Sequence, residues 1–290
     1  MSKESNQEIK QDVIQVDDLC LSFNRRRILD KVNVRFEKGK TVLIAGNNGA
    51  GKSTLLKCIA GVLFADSGEI RIDKSVAREK IGFISDKMSL FEDFSLARGI
   101  DFHCRLFKVK PGDFDHSLLD RLKLDMNQKI KDLSIGERAV YHLSLLFSQK
   151  PDILLLDEII HTIDPYLREL FLDGLIGLID EFNTTVIMVN HTFSDMGRLP
   201  ERVLIMESGK IVFDEEAEDI NRKMKKIVTD KELKGDIPVI FKNETPLYNE
   251  YYIYPFTEEL AVSPEYKFQD VDLTEIVKSF IGGYYAKKRI

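Results

Sequence analysis

Cysteine is scarce. The 290 residues include three, Cys20, Cys58 and Cys104, far apart and without a C-x-x-C pair. That excludes a disulfide framework and a cysteine-based metal site, and it suits a reducing cytoplasm. Long apolar runs are missing too. The greasy segment from Leu170 to Phe182 is interrupted by Asp173, Gly174, Gly177 and Asp180. No stretch reaches the ~18–20 apolar residues that a membrane helix needs, so the chain is not expected to cross a bilayer. The opening residues, MSKESNQEIKQD, lack the apolar centre of a signal peptide. Neither an internal repeat nor a low-complexity segment is visible. A surplus of positive charge is absent: the net charge of -6 argues against a broad footprint for nucleic acid, and no nucleic-acid partner is expected.

What is present is an ordinary globular composition, 43% apolar and 31% charged, long enough for one large or two modest domains. The first forty residues alternate like strands, over Val13 to Val16, Leu19 to Phe23 and Val32 to Phe36. Thr41 to Ala45 is continuously apolar, as a buried parallel strand should be. Ser53 to Ala60 reads as a helix closed by Gly61. From about Met88 to Lys150, aromatics and leucines fall at helical intervals, with Pro111-Gly112 as a break. This is read as a helical subdomain inserted between strands, its phenylalanines serving helix packing. Strands return at Ile153–Leu156, Thr185–Val189, Val203–Met206 and Ile211–Phe213, with a helix over Tyr166–Glu181, which implies a mostly parallel sheet. A helix-like stretch is expected from Asp214 to about Leu233. Gly235 to Ile290 reads as a small appendage of short strands rich in tyrosine.

Gly46-Asn47-Asn48-Gly49-Ala50-Gly51-Lys52-Ser53 fits G-x-x-x-x-G-K-[ST] in full, after a strand and before a helix. Its backbone N–H groups would converge on phosphate oxygens at the positive end of the helix. Lys52 would span the β- and γ-phosphates, and Ser53 would ligate Mg²⁺. Further on, Ile153 to Leu156 buries a strand whose carboxyl end releases Asp157 and Glu158, where open α/β sheets bind ligands. Asp157 is placed to hold Mg²⁺ and Glu158 to activate a water. Ser134 and Glu137 form an S-x-x-E capping box, which is a complete structural explanation; a helix start with a hydroxyl and Gly136 is also an anion site.

The Gly46–Thr54 loop, Leu133-Ser134-Ile135-Gly136-Glu137, Ile153–Glu158 and His191 after a strand occur in this order and spacing. With them, the chain closely resembles the ATP-binding subunit of an ABC transporter over roughly residues 13 to 215. The resemblance implies an α/β fold: a P-loop NTPase (RecA-like) core, an N-terminal antiparallel β-subdomain, an inserted α-helical subdomain and a small C-terminal extension. It divides the chain into an ATPase domain at 12–215, with the helical subdomain at about 88–150, and an accessory region at 216–290. It also implies ATP with Mg²⁺, and a second ATPase subunit, identical or not, facing the first head to tail. Gly46 through Thr54 would hold one ATP, and Ser134 and Gly136 would touch the γ-phosphate bound to the opposite subunit. His191 looks like the switch histidine that orients water and γ-phosphate, with Glu158 as the base and Lys52 as the phosphate clamp. Asp164 matches the aspartate loop of the dimer, and Phe23 matches the aromatic that stacks on adenine, a core phenylalanine being the competing reading.

Several positions depart from the family pattern. Asp86 stands where glutamine is usual and would still reach Mg²⁺ or water. Ile135 replaces the first glycine of the signature, Glu137 a glutamine, and Ile159-Ile160 the usual Pro-Thr. Lys52, Ser53, Asp157, Glu158 and His191 are intact, so a hydrolysing subunit is expected. Transport would need separate integral membrane subunits, docked near Asp86 to Phe94, with the chain peripheral at the cytoplasmic face of the cell membrane. The loose signature, Asp86 and the C-terminal appendage look more like exporters than nutrient importers. Length and style resemble exporters of amphipathic peptide toxins such as phenol-soluble modulins. Soluble relatives acting on ribosomes usually carry two cassettes, and those acting on DNA insert long coiled coils; one cassette and no heptad run disfavour both. A small-molecule kinase would share the phosphate loop but not the signature or the histidine.

Overall fold

The computed structural model describes residues 11–85, 91–190, 199–233, 237–261, 266–272, 275–276 and 279–280. Its first half runs β1 (Asp12–Phe23), β2 (Arg26–Glu37), β3 (Thr41–Gly46), α1 (Lys52–Ile59), β4 (Ser67–Ile72), β5 (Ile81–Ser85), α2 (Leu96–Leu106), α3 (Ser117–Leu122) and α4 (Ile135–Gln149). There follow β6 (Ile153–Asp157), α5 (Pro165–Phe182), β7 (Thr185–Val189), β8 (Arg202–Glu207), β9 (Lys210–Glu216) and α6 (Ile220–Lys223). The C-terminal part holds β10 (Lys225–Thr229), β11 (Val239–Glu244), β12 (Asn249–Ile253), α7 (Glu258–Ala261) and β13 (Phe268–Gln269).

The central sheet has the order β5-β6-β7-β3-β8-β9, parallel except for β9, which runs antiparallel to β8. Every residue of β3, β6 and β7 is buried, which is why these segments read as unbroken apolar runs. Successive side chains point to opposite faces. Val42, Ile44, Ile153 and Leu155 therefore join α1 and the N-terminal strands in one core. Leu43, Ala45, Leu154 and Leu156 join α4 and α5 in the other. The N-terminal sheet, β2-β1-β4, is antiparallel. The two separate N-terminal strand segments are one strand, β1, irregular near Asp18 where φ is positive. Asn24 and Arg25, both at positive φ, make the tight turn into β2.

α2, α3 and α4 lie between β5 and β6 in sequence and enclose a small core of their own, with Leu96, Cys104, Leu119 and Tyr141. Phe91, Phe94 and Phe102 pack on one another, with ring centroids 4.8 to 5.9 Å apart. This agrees with the packing role read for these rings.

The expected helix from Asp214 to Leu233 is a correction. β9 continues to Glu216, α6 lasts four residues, and Lys225 to Thr229 is a strand. β10 pairs with both β12 and β13, and its central Ile227 is buried between Tyr251 and Phe268. The sheet's need for a central strand outweighs the helix propensity of the lysines. Those lysines sit at the rim instead: Lys225 pairs with Asp270, and Lys226 with Glu275. The C-terminal sheet has the order β11-β12-β10-β13. Tyr252, Val271 and Ile276 share the core of Phe213 and Met224, so one face of this sheet is packed onto the flank of the central one. Its other face covers Ile227, Tyr251 and Ile253.

Candidate functional site

The loop from Gly46 to Gly51 leaves the carboxyl end of β3 and enters α1, whose N-cap is Gly51. Two of its glycines are dictated by close approach. At Gly46, with φ 142°, a Cβ would stand 2.1 Å from the Met206 carbonyl oxygen; at Gly51, with φ 105°, one would stand 2.8 Å from that of Ile28. No side chain fits either place. The loop is pinned from within by the Ala50 N–H on the Asn47 carbonyl and from outside by the Gly209 N–H on the Ala50 carbonyl, each 3.0 Å.

Lys52 is folded back into this loop and donates to the carbonyls of Gly46 at 2.9 Å and Asn47 at 3.0 Å. Burial lowers its ammonium below the usual range, offset in part by Glu158 and Asp157. Glu158 Oε1 lies 3.9 Å from Lys52 Nζ. Ser53 donates its hydroxyl to Asp157 Oδ1 at 2.6 Å, and Lys57 approaches Asp157 Oδ2 at 4.0 Å. Two elements distant in sequence thus deliver a cation, a hydroxyl and two carboxylates to one point. Glu158 has φ 55°, a costly backbone state, held by its N–H on the Val189 carbonyl at 3.0 Å. Thr54 follows, half-buried, in α1.

A second group forms where α4 and α5 begin. Ser134 caps α4 reciprocally: its N–H donates to Glu137 Oε2 at 2.8 Å, and the Glu137 N–H to Ser134 Oγ at 3.2 Å. Ile135 is 56% exposed. Gly136 lies against α5, where a Cβ would stand 2.6 Å from Leu167 Cδ1 and 3.2 Å from Asp164 Oδ2. Asp164 caps α5 by accepting from the Leu167 N–H at 3.2 Å. Ser134, Gly136 and Asp164 are therefore neighbours in one chain.

Asp86 and His191 lie outside the described residues. Phe23 ends β1 and is 46% exposed, which excludes the core reading. A cavity of about 250 Å³ lies beside the phosphate loop, walled by Arg26, Arg27 and Ile28 on one side and by Glu207 and Ser208 on the other. Sequence reasoning missed these five; the arginine run beside Phe23 was the available signal.

The arrangement is that of a phosphate-loop nucleotide site on an α/β sheet, and comparison with known proteins names the class. The ABC transporter family model matches residues 29–161. The chain is 30% identical over 233 residues to an uncharacterised ABC transporter ATP-binding protein of Methanocaldococcus jannaschii, covering 78% of this chain and 87% of that one. It is 28% identical over 210 residues to a probable sulfate/thiosulfate import ATP-binding protein of Chlorella vulgaris, covering 69% of this chain and 89% of the relative. A dimeric ATP-binding cassette in a post-hydrolysis state, bound to ADP and Pi, shares the fold with TM-score 0.60 and 22% identity, over 70% of this chain and 98% of that one. The chain belongs to the ABC transporter ATP-binding family. It is an ATPase subunit of that class, with the mixed α/β fold of its cassettes.

Proposed function

We propose that this chain powers an ABC exporter, binding ATP between two cassettes and driving separate integral membrane subunits from the cytoplasmic face of the membrane. The observation that supports the ATP-hydrolysing part of this reading is the convergence of Lys52, Ser53, Asp157 and Glu158 at the carboxyl ends of β3 and β6. Residues 12–215 would be the ATPase and 216–290 an accessory region.

Each residue has a role that follows from its chemistry. The backbone from Gly46 to Thr54 cradles the phosphates. Lys52 exchanges the carbonyls of its own loop for β- and γ-phosphate oxygens. Ser53 and Asp157 present the hard oxygen pair that Mg²⁺ takes, with Asp86 as a further proposed ligand. When bound, the ion supplies neutralisation of the phosphate charge. Glu158 takes a proton from the attacking water, oriented by His191. Phe23 stacks on the adenine. Ser134, Gly136 and Asp164 serve the ATP held by the second ATPase subunit, identical or not.

The cassette is shared with relatives named for import, so the export reading rests on the departures at Asp86 and Ile135 and on the C-terminal sheet. An amphipathic peptide is the substrate class we assign. The test is purification of tagged protein from detergent-solubilised native membranes. An integral membrane protein in stoichiometric amounts is expected; ribosomes, DNA or no partner would refute the transporter reading. Inverted vesicles holding the complex should accumulate peptide when given ATP. Expulsion instead would reverse the direction.

A further inference from the structure

The core beneath the N-terminal sheet is left open along one flank. A groove of about 460 Å³ runs between β4 and the end of α1 with the loop that follows it. Ligand sites commonly measure about 300–1,000 Å³. Leu63, Ala65, Ile70, Ile72, Val76 and Ile81 line the groove, and each is only half-buried although packed against that core. Phe64 stands in its wall 86% exposed, next to Val62 at 59%. Its described lining includes no residue of the phosphate loop and none of α2, α3 or α4. A continuous apolar surface of this kind marks a binding site.

One charged group gives the groove its polarity. Arg78 lines it, just ahead of β5. Gly61, at φ 69°, follows α1, and Arg78 Nη2 lies 3.1 Å from the point where a Cβ there would stand. The guanidinium is therefore folded over the end of α1. No carboxylate pairs with it among the described residues, and the described lining holds no Asp or Glu. Cys58 also lines the groove; burial pushes its thiol up to about 11, so it is neutral at pH 7.

One unpaired cation beside an apolar trough has a definite complement: a single-chain amphiphile carrying one negative charge. A carboxylate matches the guanidinium fork with two parallel hydrogen bonds. A phosphate monoester would bring a second charge, for which the described lining holds no cation. We propose that this groove binds a free fatty acid, its carboxylate on Arg78 and its chain along Leu63, Ile70, Ile72 and Phe64. The site lies apart from the nucleotide and does not depend on the transporter reading.

The test is calorimetry on the full chain with decanoate, hexanoate and decan-1-ol as probes. Each buried methylene contributes about fourfold in affinity, so decanoate should bind on the order of 10²-fold more tightly than hexanoate. It should also bind about tenfold more tightly than decan-1-ol, the discrimination that one charge-assisted hydrogen-bonded pair supplies. Arg78→Gln should reduce decanoate to the affinity of decan-1-ol, and Phe64→Ser should weaken both probes alike. Both side chains are exposed, so both variants should fold and still bind ATP. Absence of binding, or affinity that does not grow with chain length, would overturn the site. So would a decanoate preference that survives Arg78→Gln. Binding untouched by Phe64→Ser would be general adsorption of a surfactant and would overturn it as well.

Discussion

Lowering the pH from 7 to 4 should destabilise this protein through two histidines of the helical region. His103 and His142 have an ordinary value of 6.5 and are pushed to about 4, in both cases chiefly by burial; His142 is lowered further by the charge of His103. As pH falls below 6.5, the unfolded chain takes up protons that the folded chain refuses. Stability is therefore complete above 6.5 and drains away as pH approaches 4. The loss accrues at about 1.4 kcal/mol per pH unit for each group, or about 3 kcal/mol per imidazole by pH 4. Against a typical total of about 5–15 kcal/mol, that is enough to bring unfolding within reach. Several carboxylates add to the loss only at the acid end of this range. Asp17, Asp73, Asp93 and Glu232, held below their ordinary values by hydrogen bonds, lose stability in the same direction only as pH falls through those ordinary values of 3.8 to 4.5, so the window from 6.5 to 4.5 belongs to the histidines. The assay is urea unfolding followed by circular dichroism at half-unit steps of pH. A free energy that is flat between pH 6.5 and 4.5 would refute the reasoning. So would an unchanged slope in both His103→Phe and His142→Phe.

At the nucleotide site, Glu158→Gln should retain ATP binding, trap an ATP-bound dimer, and lower phosphate release by about 10²–10⁴-fold, the range for a lost general base. Fast hydrolysis by that variant removes Glu158 from the role. Lys52→Ala should lose tight ATP binding in calorimetry, and unchanged affinity would sink the phosphate-loop assignment. Gly46→Ala drives a Cβ to 2.1 Å from the Met206 carbonyl at φ 142°, so it should cost at least about 1–3 kcal/mol in thermal unfolding. A fully stable variant would contradict the loop geometry. Ser134→Asp separates the two readings of the capping box: aspartate caps a helix as well as serine, but its charge repels a phosphate. Stability within about 0.5 kcal/mol of the parent, with loss of ATP-dependent dimerisation on size-exclusion chromatography, is expected. Dimerisation intact would leave Ser134 as a cap and nothing more.

Legibility from the sequence tracked how local the deciding physics was. The phosphate loop was readable because the Gly46 and Gly51 positions admit no Cβ, and the chain declares that by spelling glycine. The buried strands were readable because both faces of β3, β6 and β7 are covered, so alternation vanishes and only apolar residues remain. β10 was not readable: Lys225 to Thr229 has two lysines in five residues, and only pairing with β12 and β13 makes it a strand. Nor was the junction of Gly136 with Asp164 visible, because it is made by two helix starts separated in sequence and joined by packing. The same division applies to a cavity where α2 and α4 meet β5. His103, His142 and Gln149 carry no motif, and each alone reads as an ordinary helix residue. Only the fold shows that all three line one cavity and that each has a buried polar atom without a partner among the described residues. The phosphate loop and the acidic strand end are thus legible in the sequence, whereas contacts between distant helices are legible only in the fold.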